Sequence, residues 1–117
     1  MLGIAHGTAG VMLGGPQGDA FELSAGDVVV LPAGTGHCNI GSSADLLVVG
    51  AYPGGMRWDV RRGDPAERDE VLANVAAVPL PDQDPVHGPD GPIAVFWNSA
   101  RPPAYAARSG AALRRGC

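Results

Sequence analysis

The stretch Gly26-Asp-Val-Val-Val-Leu-Pro32-Ala-Gly34-Thr-Gly-His37 decides the fold of this chain. Its apolar, β-branched run at residues 28–31 predicts a buried strand. Pro32 has no N–H group to donate to a sheet ladder, so we expect the strand to end there. Gly34 and the glycine at position 36 permit a tight turn. Residues 36–40 are predicted to return as a second strand that carries His37.

The chain on either side of this hairpin is also predicted to form short strands separated by turns. Residues 2–13, 20–23 and 45–52 are predicted strands, separated by turns rich in glycine and proline. Several short strands at even spacing favour an antiparallel barrel or sandwich. One helix is predicted near residues 65–76, because Asp64-Pro65-Ala-Glu67 supplies a capping aspartate and a proline in the first turn. Residues 93–97 are predicted to form a short last strand.

Composition narrows the class of protein. The 117 residues suffice for one small domain, and 45% hydrophobic with 17% charged residues indicates a globular chain. We assign residues 1–97 to that domain and 98–117 to a flexible C-terminal tail. The sequence has no apolar run of about 18 residues and no basic, aromatic-studded segment, so neither a membrane nor a nucleic acid is expected as partner. Two cysteines without metal-ligand spacing favour a reduced, cytoplasmic protein.

The central hairpin resembles the second conserved motif of the cupin superfamily, G-x5-P-x-G-x2-H-x3-N. Gly26, Pro32, Gly34 and His37 match this pattern, whereas Gly41 stands where the pattern has Asn. Further segments look like the YjlB-like branch of bacterial cupins, among them Leu-Val-Val-Gly-Ala-Tyr-Pro at 47–53, Trp-Asp-Val-Arg-Arg-Gly at 58–63 and Val-Pro-Leu-Pro at 78–81. The resemblance implies a mostly β, double-stranded β-helix (jelly-roll) barrel and pairing into homodimers.

The resemblance also implies that His37 is one of about four ligands of a divalent metal ion. The other ligands, two His and one Glu, belong to a first cupin motif whose final glycine matches Gly7. Its Glu would fall one residue before Met1. One explanation is that Met1 is a misassigned start in a GC-rich genome, which the eight Arg and absent Lys suggest. The other is a shortened, metal-free paralogue, so we expect no cofactor in these 117 residues and Fe, Mn, Zn or Ni if the upstream ligands exist.

These residues and motifs leave two functions open. The favoured one is a non-catalytic cupin that binds a small molecule or serves a structural role, with no catalytic residue assigned. The alternative is a fragment of a metal-dependent cupin enzyme acting on a small organic substrate. His6 is expected near a strand end and His87 in an exposed loop. Trp58 is expected to pack against the barrel, in preference to forming an acid-binding clamp with Arg61.

Overall fold

The computed structural model describes residues 1–97, and the predicted tail at 98–117 lies outside the described residues. The fold is mostly β. Within residues 1–97, six strands are followed by two helices, with a short 3-10 turn at Pro53–Gly55 and another at Pro65–Glu67. The strands and helices are β1 Leu2–His6, β2 Thr8–Leu13, β3 Asp19–Ser24, β4 Val28–Val29, β5 His37–Ser42, β6 Leu47–Gly50, α1 Arg68–Ala77 and α2 Pro92–Phe96.

The strands form two antiparallel sheets of three strands each. One sheet has the order β4-β1-β6 and the other has the order β3-β2-β5. The first two strands of the chain are therefore the central strands of the two sheets, and each pairs with strands on both sides. This open pair of sheets is consistent with a β-sandwich.

The predicted strand at residues 2–13 is divided in two at Gly7, which has a positive φ of 74°. A side chain at this position would meet the side chains of Ser43 and Asp45 and the backbone of Leu46. The junction is held by the N–H of Thr8, which donates to the Ser43 hydroxyl at 2.9 Å, and by the Ser43 N–H, which donates to the Thr8 carbonyl at 3.0 Å. This turn passes the chain from one sheet to the other.

A β-bulge lies on β5, within its second half. Gly10 of β2 is opposite Gly41, but Val11 is opposite Asn39, so residue 40 has no partner across the ladder. The side-chain oxygen of Asn39 accepts a hydrogen bond from the Gly41 N–H at 2.8 Å. The departure from the family pattern at Gly41 therefore falls within this bulge.

Few apolar side chains are buried among residues 1–97: Ile4 and Ala9 on the central strands, and Ile93 on α2. On β6 the side chains of Leu47 and Val49 are 57% and 51% exposed, and neighbouring Val48 is also exposed. The strand predicted at 28–31 is confirmed only for its first two residues, which form β4, and its predicted burial is wrong, because Val28 is exposed and Val29 is only partly buried. An apolar strand is buried only where another layer covers it, and no described residue provides that layer here.

The helix prediction is confirmed at α1. The Asp64 carboxylate accepts a hydrogen bond from the Ala66 N–H at 2.9 Å, and Pro65 opens the short 3-10 turn that leads into α1. The predicted strand at 93–97 is wrong, because these residues belong to α2 and the residue after it. Pro92 occupies the first turn of α2, where its fixed φ favours a helix, and this outweighs the strand preference of the apolar residues that follow.

Candidate functional site

His37, the predicted metal ligand, is the first residue of β5 and is exposed. Its Nδ1 lies 3.3 Å from the Thr35 carbonyl oxygen, within the same turn. Across the ladder, His37 is opposite Leu13 at the end of β2. The structure thus places the imidazole at one end of the β3-β2-β5 sheet, where the side chain is open to solvent.

The turn before His37 contacts helix α1. Gly34 has a positive φ of 83°, and a Cβ at this position would lie 3.0 Å from the Cγ2 atom of Val75. Glycine is needed here both for the backbone angle and for the close approach of the helix. The helix therefore packs against the turn between β4 and β5, a contact that the sequence pattern does not predict.

The other two histidines lie beside carboxylates. His6 Nδ1 is 2.8 Å from an oxygen of Asp45, and His87 Nδ1 is 3.5 Å from an oxygen of Asp84. A hydrogen bond from the Ser43 hydroxyl is the main cause that lowers the pKa of Asp45. Within residues 1–97, no group of three or more His, Cys, Asp or Glu side chains is placed to hold a metal ion. The structure brings His37 to neither of the other histidines.

A cluster of ion pairs surrounds Arg61 after the last strand. Its guanidinium contacts Asp59 at 2.8 Å, Glu67 at 3.0 Å and Glu70 at 2.6 Å. Hydrogen bonds from the guanidinium to these carboxylates, Asp59 first, raise the pKa of Arg61. Asn74 donates to the second oxygen of Asp59 at 3.1 Å. Since all three guanidinium nitrogens are engaged, Arg61 ties the segment after β6 to the start of α1 and is not available as an acid-binding clamp.

Trp58, next to this cluster, does not pack as expected. Its side chain is 67% exposed. The prediction that it packs against the barrel is wrong for the described residues. A large aromatic side chain is usually packed against the protein, but it is buried only where another part of the structure lies against its ring.

Asp84 organises the loop before α2. Its side chain is only 4% exposed, and one oxygen accepts hydrogen bonds from the Val86 and His87 N–H groups, both at 2.9 Å. The other oxygen accepts from the Ile93 N–H at 3.3 Å. The N–H groups of His87 and Val86 are the largest causes that hold the pKa of Asp84 below its usual value. An aspartate in a turn-rich segment predicts a turn, but nothing in the local composition predicts that this carboxylate is buried among three N–H groups.

A groove of about 440 Å³ lies between the turn that enters β4 and the segment from this loop to the end of α2. Its walls are mostly apolar, and Asp27, Asp84 and His87 add polar groups on its lining. His87 is 65% exposed, which agrees with the predicted exposed loop histidine. The apolar walls come from Val28, Val30, Val86, Pro92, Ile93, Phe96 and Trp97.

The described residues thus define a mostly β protein with two antiparallel sheets, an exposed His37 at the start of β5 and an apolar groove with acidic groups. The chain is similar to the "Uncharacterized protein YjlB" of Bacillus subtilis (strain 168), with 42% identity over 87 residues. The match covers 74% of this chain and 53% of the relative, so the chain spans about half the length of that curated relative. No family model and no solved structure matches the chain.

Neither helix described within residues 1–97 has both the length and the apolar character that a membrane span requires.

Proposed function

We propose that this chain is a cupin-type protein that binds a small organic molecule and does not catalyse a reaction as it stands. The observation that carries the proposal is an open groove of about 440 Å³, in which exposed apolar side chains surround a few polar groups. The cupin assignment is supported by the hairpin pattern from Gly26 to His37 and by two antiparallel sheets. The similarity to YjlB agrees with the branch that the other sequence segments resemble.

A screen of small organic fragments tests this proposal. We expect binders that shift the amide NMR signals of Val28, Val86 and Ile93, which line the groove. Signals of Phe21 and Leu72, exposed side chains elsewhere on the surface, should stay in place. A library with cationic, neutral and anionic members that yields no binder at the groove would overturn the proposed function.

A metal-dependent enzyme is the second candidate, and the position of His37 in the cupin-like motif favours it. His37 would be a neutral imidazole ligand, joined by two His and one Glu from outside residues 1–117. A bound divalent ion would supply Lewis-acid or redox chemistry to a small organic substrate. The matched relative extends well beyond the aligned region, as this candidate requires.

Metal titration separates the two candidates for this chain. A single imidazole is a weak site, because structural and catalytic metals are held by about three or four protein ligands. We therefore expect Zn²⁺, Mn²⁺, Ni²⁺ or Fe²⁺ to bind far below one ion per chain, with no change in the variant His37→Ala. Stoichiometric binding that disappears in His37→Ala but persists in His6→Ala would contradict the non-catalytic proposal.

We also infer that two copies of the chain pair in the cytoplasm. Four strands form sheet edges among residues 1–97, namely β3, β4, β5 and β6. A sheet edge carries backbone N–H and C=O groups that a second copy can pair with. The exposed apolar side chains of β6, such as Leu47 and Val49, are best covered by such a contact.

A further inference from the structure

The groove presents hydrogen-bond acceptors and negative charge. Asp27 and Asp84 line it as carboxylates, and no Lys or Arg stands among its described lining residues. A ligand that complements this lining must donate hydrogen bonds and carry positive charge.

The two carboxylates of the groove differ in what they can still accept. Asp84 is saturated by three backbone N–H groups and adds negative charge to the lining. Asp27 is exposed and accepts a hydrogen bond from the Ser24 N–H on one of its two oxygens, so its other oxygen can meet a donor.

The apolar walls of the groove favour a ligand whose remaining part is apolar. Val28, Val86, Ile93 and Phe96 surround the polar groups, and Phe96 is largely exposed on α2. An exposed aromatic face attracts a cation as well as an apolar body. The volume of about 440 Å³ admits a molecule of modest size.

We propose that this groove binds a small organic amine, with its ammonium group at the carboxylate of Asp27 and its apolar body against Val28, Val86 and Phe96. This inference rests on the proposed small-molecule function and names the chemical class of its ligand. The ammonium donates to the exposed carboxylate of Asp27, which neutralises its charge.

Three matched probes test the inference by isothermal titration at neutral pH: phenethylamine, the neutral 2-phenylethanol and the anion 3-phenylpropanoate. We expect phenethylamine to bind at least about tenfold more tightly than the alcohol, because a charged hydrogen bond is worth more than a neutral one. The anion should not bind. Asp27→Asn should weaken amine binding by about tenfold and leave the alcohol unchanged. This variant keeps an oxygen that can accept the Ser24 N–H, as Asp27 does at 2.7 Å.

Glu22→Gln is the matched control, since it removes one exposed acidic charge on β3, outside the groove. It should leave amine binding unchanged. If the alcohol or the anion binds at the groove as tightly as the amine, the amine inference fails while small-molecule binding stands. Equal losses in Asp27→Asn and Glu22→Gln would also overturn it, because they indicate general charge attraction. If none of the probes binds but the fragment screen finds groove ligands of another class, only the amine inference fails.

Discussion

Gly7→Ala is expected to lower the free energy of unfolding by about 2–4 kcal/mol, through backbone strain and overpacking together. Gly7 has a φ of 74°, which costs a residue with a Cβ about 1–2 kcal/mol. The new methyl group would also lie 3.0 Å from the Cα of Leu46 and close to the side chains of Ser43 and Asp45. Backbone atoms cannot rotate away as a side chain can. Urea denaturation measures the loss.

Gly15→Ala is the control that separates these two causes. Gly15 has a similar φ of 81°, but a Cβ there would meet no atom within 4 Å. We expect the free energy of unfolding of this variant to fall only by the cost of backbone strain, about 1–2 kcal/mol. Equal losses for the two variants would show that Gly7 matters only through its backbone angle. The close approach at the junction between the two sheets would then contribute nothing.

Asp84→Ala is expected to free the loop before α2 and to lower the melting temperature by about 5–10 °C. The change leaves the N–H groups of Val86, His87 and Ile93 without their acceptor, and the Ile93 N–H is buried. Hydrogen exchange should show faster exchange at these three amides. Asp90→Ala removes an exposed acidic residue from the same segment and should change neither property. Unchanged protection in Asp84→Ala would mean that the backbone hydrogen bonds between Asp84 and Gly88 suffice to hold the loop.

Because its pKa is lowered in the fold, Asp84 contributes to the stability of the protein in a way that depends on pH. The fold lowers this pKa, so the carboxylate stabilises the folded state above its unfolded pKa of about 4. The contribution is lost as the pH falls through the lower, folded pKa. Asp84→Asn cannot titrate at this position, so its stability should fall less steeply than that of the wild-type chain in this acid range. If the free energy of unfolding changes with pH in the same way in both proteins, Asp84 is not the source of this pH dependence.

Much of the strand pattern could be predicted from local signals. The hairpin from Gly26 to His37, the turn residues and the cap at Asp64 act through the backbone angles and hydrogen bonds of neighbouring residues. Such effects need no distant partner, so the six strands and α1 lie close to where they were expected. The exception at Pro92 is also local, because the proline favours a helix where the apolar composition favours a strand.

The sequence by itself determined which residues turn and which extend, and therefore the mostly β class and the position of His37 at the start of a strand. Only the tertiary structure decided what surrounds each side chain: that Gly34 contacts α1, that Arg61 is taken up by three carboxylates, and that His87 and Asp27 line one groove. Burial, pairing of charges and the walls of a cavity arise between residues far apart in the chain. Local composition gives no information about those distances, which is why Val28 was expected in a buried strand and is found exposed.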